Sequence, residues 1–410
     1  MRILHTADWH LGKTLEGRDR QTEQEQFIDE ICAICNDEAI QLVLIAGDVF
    51  QSYTPSAAAE ELFYAAVDRL ADHGRRAVVV IAGNHDSPER LCAAAPLADR
   101  LGITMVGLPS DEVRPTPGRP TQLVRRIDAG PSWLEVAVPG CDHTAVIAAL
   151  PYPSESRLRE LLAASLDDNA LVTAYNDRLA HIFSQLAAHF RSDAVNLAVS
   201  HLYVRGGITT ESEESIQLGT AYAVDPAVFP TAAQYIALGH LHRPQKVAGS
   251  AVPARYAGSP LAYSFSEAGH SKAVFVVDAR PGQPAQIKEI PLAAGRPLVR
   301  WQATEGLQQV ERWVAEGRDK NAWIDLEIHV SSALSMDDIQ RLRGLHTGFI
   351  HIRPMLPQEV GQTRLTGLSS LSPEELFKAF YQRCNAGAEP DDALVRLFLE
   401  LAESEESESA

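Results

Sequence analysis

Seven side chains of metal-ligand type, and an eighth beside them, stand just past the ends of five short apolar runs. Arg2-Ile3-Leu4-His5-Thr6 leads to Asp8 and His10, Leu42-Val43-Leu44-Ile45-Ala46 to Asp48, and Val78-Val79-Val80-Ile81-Ala82 to Asn84 and His85. Further on, Asn196-Leu197-Ala198-Val199-Ser200 leads to His201, and Tyr235-Ile236-Ala237-Leu238 to His240 and His242. The residue types suit hydrolysis of a phosphate ester at two divalent ions about 3.5–4 Å apart. Such a pair needs one short carboxylate to bridge it, and imidazoles and an amide oxygen can fill the outer positions. Asp48 is the natural bridge.

Near-continuous runs of this length, rich in Val and Ile, suit strands buried on both faces. In open α/β sheets, ligands gather just beyond the carboxyl ends of such strands. Gly47 and Gly83 precede Asp48 and Asn84 and let the chain turn sharply off its strand. A single buried His or Asp is more often a satisfied core group than a ligand, so the weight rests on five placements converging. His5, inside the first run, reads as a packed residue. His73, His143, His181, His189, His270, His329, His346 and His351 fall in no such position.

Asp8-Trp9-His10-Leu11-Gly12, Gly47-Asp48-Val49-Phe50, Gly83-Asn84-His85-Asp86, Ser200-His201 and Gly239-His240-Leu241-His242 resemble, in order, the signatures of the calcineurin-like metallophosphoesterase superfamily. More narrowly, the stretch from Met1 to Gly12 and the stretch Tyr256-Ala257-Gly258-Ser259-Pro260-Leu261-Ala262-Tyr263-Ser264-Phe265-Ser266-Glu267 resemble the SbcD family, nuclease subunits of bacterial SbcCD complexes. The resemblance implies that Asp8, His10, Asp48 and His242 hold one ion and Asp48, Asn84, His201 and His240 the other. It makes His85 a catalytic histidine outside the ligand set, protonating the leaving oxygen or stabilising the charged transition state, with the adjacent Asp86 orienting it. Relatives often carry a second histidine where Gln51 stands here, so the substrate placement that histidine aids is in question for this chain.

Ala7-Asp8-Trp9-His10-Leu11-Gly12-Lys13-Thr14 fits the loose spacing of a nucleotide-binding loop. A phosphate cradle relies on a glycine-rich backbone that aims N–H groups at the anion, and an acid and an indole stand there instead. ATP dependence would have to come from a partner.

At 410 residues, 45% of them hydrophobic, the chain can bury a large core and divide into two or three domains. It has no apolar run of transmembrane length, and its N-terminus enters a strand at once, so a soluble cytoplasmic protein is expected. Cys32, Cys35, Cys92, Cys141 and Cys384 are odd in number and scattered. Cys32 and Cys35 lie in a segment of helical period, and buried helix residues are the better reading than a zinc site.

The net charge of −18 argues against nucleic acid, which selects basic faces. Residues 389–410 contribute −7 of it, leaving −11 for the rest, and two ions would add about four positive charges at the site itself. A subunit that relies on a partner for DNA affinity fits this balance. A small-molecule phosphodiesterase or phosphatase with the same site fits it without a partner, and a scaffold that has lost catalysis is disfavoured because every ligand position is filled.

Residues 1 to about 107 read as alternating strands and helices, the first helix from Thr22 to Glu38, and the Pro-rich stretch from Pro109 to Pro139 as an irregular hairpin. Residues 155–190 read as helical. Gly206-Gly207 and Glu211-Ser212-Glu213-Glu214 form a loop beside the site, either a solvated surface or a rim touching substrate. After one more core strand, Ala273–Val277, a small α/β unit is expected over 285–358, built of a strand at Trp323–Ile328, a helix opened by Ser335 and Asp338, and a strand at Phe349–Arg353. Its Arg341 and Arg343 are candidates for phosphate contact, though helix arginines are usually solvated.

The resemblance casts this unit as a cap beside a DNA-binding cleft, following a core of residues 1–278. Ser372-Pro373-Glu374-Glu375 then starts a helix with an apolar stripe of Leu376, Phe377, Phe380, Tyr381 and Cys384, and Leu394, Leu397, Phe398 and Leu401 form a second. Segment 371–402 reads either as a hairpin packed on its own protein or, preferred here, as a docking surface for an SbcC-like coiled-coil ATPase. Residues 403–410 read as a disordered acidic tail.

The expected whole is a four-layer α/β/β/α phosphoesterase core with a small α/β cap domain and C-terminal helices. The function the resemblance implies is Mn2+-dependent DNA cleavage, exonucleolytic on duplex ends and endonucleolytic on single strands and hairpins. Two Mn2+ or other divalent transition-metal ions would serve it, in a homodimer within a heterotetramer.

Overall fold

The computed structural model describes residues 1–154, 157, 168–213, 223–332, 334–356, 372–384, 390–391, 394–396 and 398–399. The chain divides into two compact units, Met1–Met355 and Leu356–Ala410.

Five-residue runs of Val, Ile, Leu and Ala cannot satisfy their backbone in an apolar interior unless they pair, and here they pair into two stacked sheets. The first contains β1 (Arg2–Thr6), β2 (Leu42–Ala46), β3 (Ala77–Ile81), β4 (Ile103–Val106), β12 (Lys272–Asp278) and β13 (Gln286–Leu292). Their order is β13-β12-β1-β2-β3-β4. β1 to β4 run parallel, and β12 and β13 close the edge antiparallel. The second contains β5 (Arg125–Gly130), β6 (Trp133–Ala137), β7 (Ala145–Leu150), β8 (Val195–His201), β9 (Tyr235–Gly239), β10 (Gln245–Lys246) and β11 (Ala254–Tyr256). Here the order is β10-β11-β9-β8-β7-β6-β5.

Side chains alternate along a strand, so each apolar run serves two cores at once. Leu4, Val43, Ile45, Val78 and Val80 face Phe27, Ile31, Phe63 and Leu70 of helices α1 (Gln21–Asp37) and α2 (Ala57–Ala71). Their neighbours Ile3, Leu42, Leu44, Val79 and Ile81 meet Leu134, Ile147, Leu197, Val199 and Tyr235 of the second sheet. On that sheet's far face Val146, Ala148, Ala198 and Ile236 pack against Tyr175, Leu179 and Phe183 of α3 (Asp168–Ala187). The result is the four-layer α/β/β/α order. Cys32 and Cys35 are buried in α1.

The Pro-rich stretch does contain a hairpin, β5 with β6. The segment expected to be helical from 155 is described as α3 only from Asp168; residues 155–156 and 158–167 lie outside the described residues. The region after 285 differs more. Gln286–Leu292 pairs along its whole length with β12 and belongs to the core sheet. The small unit starts later, with a three-stranded parallel sheet of β14 (Leu298–Ala303), β15 (Trp323–His329) and β16 (Phe349–Met355). Helices α4 (Leu307–Ala315) and α5 (Met336–Leu345) connect them, and Ser335 and Asp338 form the expected capping box. β14 escaped the sequence reading because Leu298 is buried at an even position and Trp301 and Ala303 at odd ones, which breaks the alternation.

This unit is seated on the core through Leu15, Phe265, Leu298 and Trp323. Trp323 Nε1 donates to Glu23 Oε1 at 2.9 Å, and the Arg296 guanidinium lies 3.7 Å from the centre of the Trp323 ring. Arg341 is engaged with Glu311 in an ion pair. In the second unit, helix α6 (Pro373–Cys384) begins with Ser372 accepting from the Glu375 N–H while Glu375 accepts from Ser372. The linker 361–370, the tail 403–410, and Leu397 and Leu401 of the second stripe lie outside the described residues, as does the side chain of Cys384. Among the described residues no helix is long and apolar enough to cross a membrane.

Candidate metal centre

The five strand ends that the sequence singles out meet at one place, the carboxyl edge shared by β1, β2, β3, β8 and β9. Asp8 N donates to Gly47 O and His10 N to Asp48 O, both at 3.0 Å, which laces the loops after β1 and β2 together. Four of the candidate residues sit in the left-handed backbone region: Asp8 (φ 54°), His10 (45°), Asp48 (49°) and His240 (106°). Each such residue costs about 1–3 kcal/mol and persists only where its surroundings hold it, as functional sites do. Gly47 turns with φ 86°, as expected. Gly83 is needed for a different reason, since a Cβ there would overlap the Asp48 carboxylate and backbone nitrogen.

The side chains form two nests that share Asp48. In one, His10 Nε2 lies 3.0 Å from His242 Nε2 and 3.6 Å from Asp48 Oδ2, and the carboxylate of Asp8 closes the group. In the other, Asn84 Oδ1 lies 2.9 Å from His201 Nε2 and 3.0 Å from His240 Nδ1, with Asp48 Oδ2 at 3.4 Å from His201 Nε2. Tyr152 lies against the His240 ring, its centre 6.5 Å away at 17°.

These contacts do not satisfy one another as hydrogen bonds would. His201 Nδ1 donates to Ala46 O at 2.9 Å, so on the neutral ring the Nε2 lone pair points at an acceptor, Asn84 Oδ1. Asp8 Oδ2 is buried with no hydrogen-bond partner among the described residues. A lone pair facing an acceptor and an orphaned carboxylate oxygen are what a cation would satisfy. The electrostatics show what stands in for it: with no cation, His201 takes a second proton on that nitrogen. Burial pushes the His201 imidazole down, but the Asp48 and Asp8 carboxylates overcome it and raise the group to about 9. Burial alone would lift Asp48 too, and the surrounding histidines hold it well below the ordinary carboxylate range. Burial dominates at His240, lowering it to about 3, and at His10 and His242, which are also lowered. Three imidazoles are thus kept neutral, the state in which they ligate. The donor set fits a pair of divalent ions.

His85 stands at the edge of both nests, its Nε2 4.0 Å from Asp48 Oδ2. Its Nδ1 donates to the Gln51 carbonyl at 2.9 Å, and its N–H donates to Asp48 Oδ1 at 2.9 Å. The expectation that Asp86 orients His85 needs correction. The Asp86 carboxylate turns away and accepts from the backbone N–H groups of Gly83, Val49 and Phe50 at 2.8, 3.1 and 2.9 Å. Adjacent side chains diverge where the chain turns, so neighbourhood in sequence misled. Burial and the Asp48 charge raise Asp86 to about 6, against those three N–H groups. Gln51 acts through its carbonyl, whatever its side chain.

Other contributors were missed because they come from far along the chain. The Arg157 guanidinium donates to Gly83 O at 2.7 Å and Asp86 O at 2.8 Å, bracketing Asn84-His85, and to Tyr53 OH at 3.0 Å. Lys272 donates to His242 O and Ser259 Oγ, both at 2.9 Å, and pairs with Glu267. Of the expected rim loop, Ser212 and Glu213 touch His242, and Glu214 lies outside the described residues. His5 is a packed core residue, accepting from Tyr235 OH at Nδ1 and donating from Nε2 to Leu238 O. Ala7–Thr14 opens no helix, the next one starting at Gln21.

Two sheets with paired acid and histidine nests at one strand edge define a calcineurin-like phosphoesterase, and that family matches residues 1–244. A second family, described as the type 5 capsule protein repressor C-terminal domain, matches residues 294–385. The chain is 47% identical to the SbcD nuclease subunit of the SbcCD complex of Bacillus subtilis (strain 168) over 410 residues, all of both chains. It is 33% identical over 311 residues to the SbcD nuclease subunit of Rhodobacter capsulatus, covering 73% of this chain and 71% of the relative. Against that of Escherichia coli (strain K12) it is 28% identical over 400 residues, 92% of each. The chain belongs to the SbcD family of calcineurin-like phosphoesterases, and its chemistry is that of a phosphodiesterase.

Proposed function

We propose that the chain is the nuclease subunit of an SbcCD-type complex. It cuts DNA phosphodiesters with two Mn2+ ions, exonucleolytically at duplex ends and endonucleolytically on single strands and hairpins, in DNA break and hairpin processing. Asp8, His10, Asp48 and His242 hold one ion, and Asp48, Asn84, His201 and His240 the other. The observation that carries this is the placement of Asp48 Oδ2 between His10 Nε2 and His201 Nε2, at 3.6 and 3.4 Å, with Asp8 Oδ2 unpaired beside it. Full-length similarity to an SbcD nuclease supports the substrate class.

When bound, the ion pair supplies Lewis-acid polarisation of the phosphoryl oxygens and makes water a competent nucleophile. The residues of the chain do the rest. His85 carries a proton on Nδ1, fixed by Gln51 O, and offers Nε2 to the substrate side, where the imidazolium form can protonate the leaving oxygen. Arg157 and Asp86 hold the turn that carries it, from its carbonyl and N–H sides respectively.

The net charge of −18 is the observation that favours a small-molecule phosphodiesterase instead. The purified chain with Mn2+ on linear duplex, a DNA hairpin and a simple aryl phosphodiester separates the two readings. Cleavage of the aryl ester alone, with both DNA substrates intact, would sink the nuclease.

Manganese should outperform magnesium. Four imidazoles in the two shells put nitrogen where Mg2+ demands oxygen and water, while Mn2+ accepts both. Equal turnover at matched ion concentrations would count against the ligand set.

We further assign α6 and the segment after it to docking an SbcC-like coiled-coil ATPase, in a cytoplasmic heterotetramer holding two copies of this chain. Residues 298–355 serve as the cap. The stripes expected to form the dock partly satisfy each other, since Phe377 stacks on Phe398 with ring centres 4.3 Å apart. Phe380 remains 58% exposed, and Leu376 and Leu394 are exposed as well. Phe380→Glu is therefore the clean probe, whereas a charge at Phe377 would also break the pair with Phe398. Phe380→Glu, like removal of residues 372–410, should keep Mn2+-dependent cutting of single strands and lose co-purification with the ATPase, because a desolvated charge at an interface is costly. Undiminished binding of the ATPase by Phe380→Glu would remove this face from the interface.

A further inference from the structure

A histidine ligand needs its free nitrogen's lone pair aimed at the ion, and the proton on its other nitrogen must then have an acceptor. His242 meets this demand through a loop that contributes no ligand. Its Nε2 faces His10 Nε2, and its Nδ1 lies 2.6 Å from Ser212 Oγ. Ser212 Oγ in turn lies 2.8 Å from Thr210 Oγ1, so it can accept from the imidazole while donating onward. The backbone of His242 is held too, its N–H donating to Glu213 Oε1 at 2.7 Å. The other carboxylate oxygen of Glu213 accepts from the Thr210 N–H, closing the loop on itself. Lys13 Nζ donates to Ser212 O at 3.2 Å, and Glu211 N to Ser266 Oγ at 3.0 Å, which anchor the segment to the loop after β1 and to the stretch before β12. Among the described residues, the histidines of the other nest receive no such contact from this loop; His201 rests on Ala46 O instead.

We propose that Ser212 and Glu213 are positioning residues for the ion held by Asp8, His10, Asp48 and His242, and for that ion selectively. Ser212 fixes the tautomer of His242 that leaves Nε2 free, and Glu213 sets the backbone from which the ring projects. The proposal rests on the two-ion reading of the site. Lys272 also grips His242 from its carbonyl side, but it belongs to a buried ion pair with Glu267, and removing it would endanger the fold. Ser212 and Glu213 lie in a partly exposed loop, so they can be altered with less risk.

The test is Mn2+ binding to the full-length chain, followed by titration calorimetry and by the electron paramagnetic resonance signal that separates a coupled ion pair from a single ion. The wild-type protein should bind two ions. Ser212→Ala and Glu213→Ala should each weaken one of them by roughly 10–100-fold, the usual effect of removing a group that supports a ligand. The other ion should be unchanged, and a single-ion signal should appear at limiting Mn2+. Ser212→Thr keeps the hydroxyl and should restore the pair; Glu213→Gln keeps one carbonyl acceptor for the His242 N–H and should recover much of it, less fully because its amide nitrogen cannot accept from the Thr210 N–H. Equal weakening of both ions, or of neither, would overturn the proposal. So would failure of the two conservative variants to rescue. A wild-type chain that binds fewer than two ions would remove the two-ion reading itself, and the proposal with it.

Discussion

Asp48→Ala should strip the protein of both ions, whereas Asp8→Ala should leave about one per chain. Asp48 Oδ2 lies close to the ligating nitrogens of both nests, 3.6 Å from His10 Nε2 and 3.4 Å from His201 Nε2, and a bridging carboxylate serves two ions at once. Its other oxygen accepts from the His85 N–H at 2.9 Å, so its loss also loosens the turn carrying that residue. Asp8 would ligate one ion, and it touches the second nest only through the His240 backbone and through His201 Nδ1, the nitrogen turned to Ala46 O. Oδ1 accepts from the His240 N–H at 2.8 Å, and Oδ2 is the unpaired atom of a single nest. Metal content of the two purified variants, measured by atomic emission after dialysis, decides the matter. Two ions still held by Asp48→Ala would remove the bridge from the assignment.

His85→Gln should keep both ions and lose turnover by roughly two to four orders of magnitude, the usual worth of a positioned general acid. Its ring is tied to Gln51 O through Nδ1, and its Nε2 stands 4.0 Å from Asp48 Oδ2, farther out than the nitrogens of His10 and His201. Yet His85, His10 and Asp48 are near enough to one another to hold an ion by themselves. Metal content separates the two roles where activity alone cannot. If Mn2+ binding falls together with turnover in His85→Gln, the residue is a ligand and the division of roles given to the site is wrong.

Legibility in the sequence followed how local each feature is. The apolar runs at Ile3, Val43, Val79, Val199 and Ile236 carried their own strand signature, and a parallel strand has one carboxyl end, so the ligand types just beyond it could be read in order without knowing any contact. The capping boxes at Ser335 and Ser372 were equally readable, because both partners lie within three residues. β14 was not, since the shift of burial between Leu298 and Trp301 leaves no clean period.

The sequence alone therefore determined which residue types converge and on what chemistry. Which residue steadies which was decided by tertiary structure. Asp86 holds backbone instead of His85 because the turn after Gly83 sends the two side chains apart. Arg157 reaches Gly83 from 74 positions away, Lys272 reaches His242 from 30, and Ser212 meets His242 across another 30. Such contacts depend on how loops close between distant elements, and no local period encodes that closure. The left-handed backbone at Asp8, His10 and Asp48 has the same origin. Residues that would relax elsewhere are held there because two sheets and their crossing loops leave them no other path.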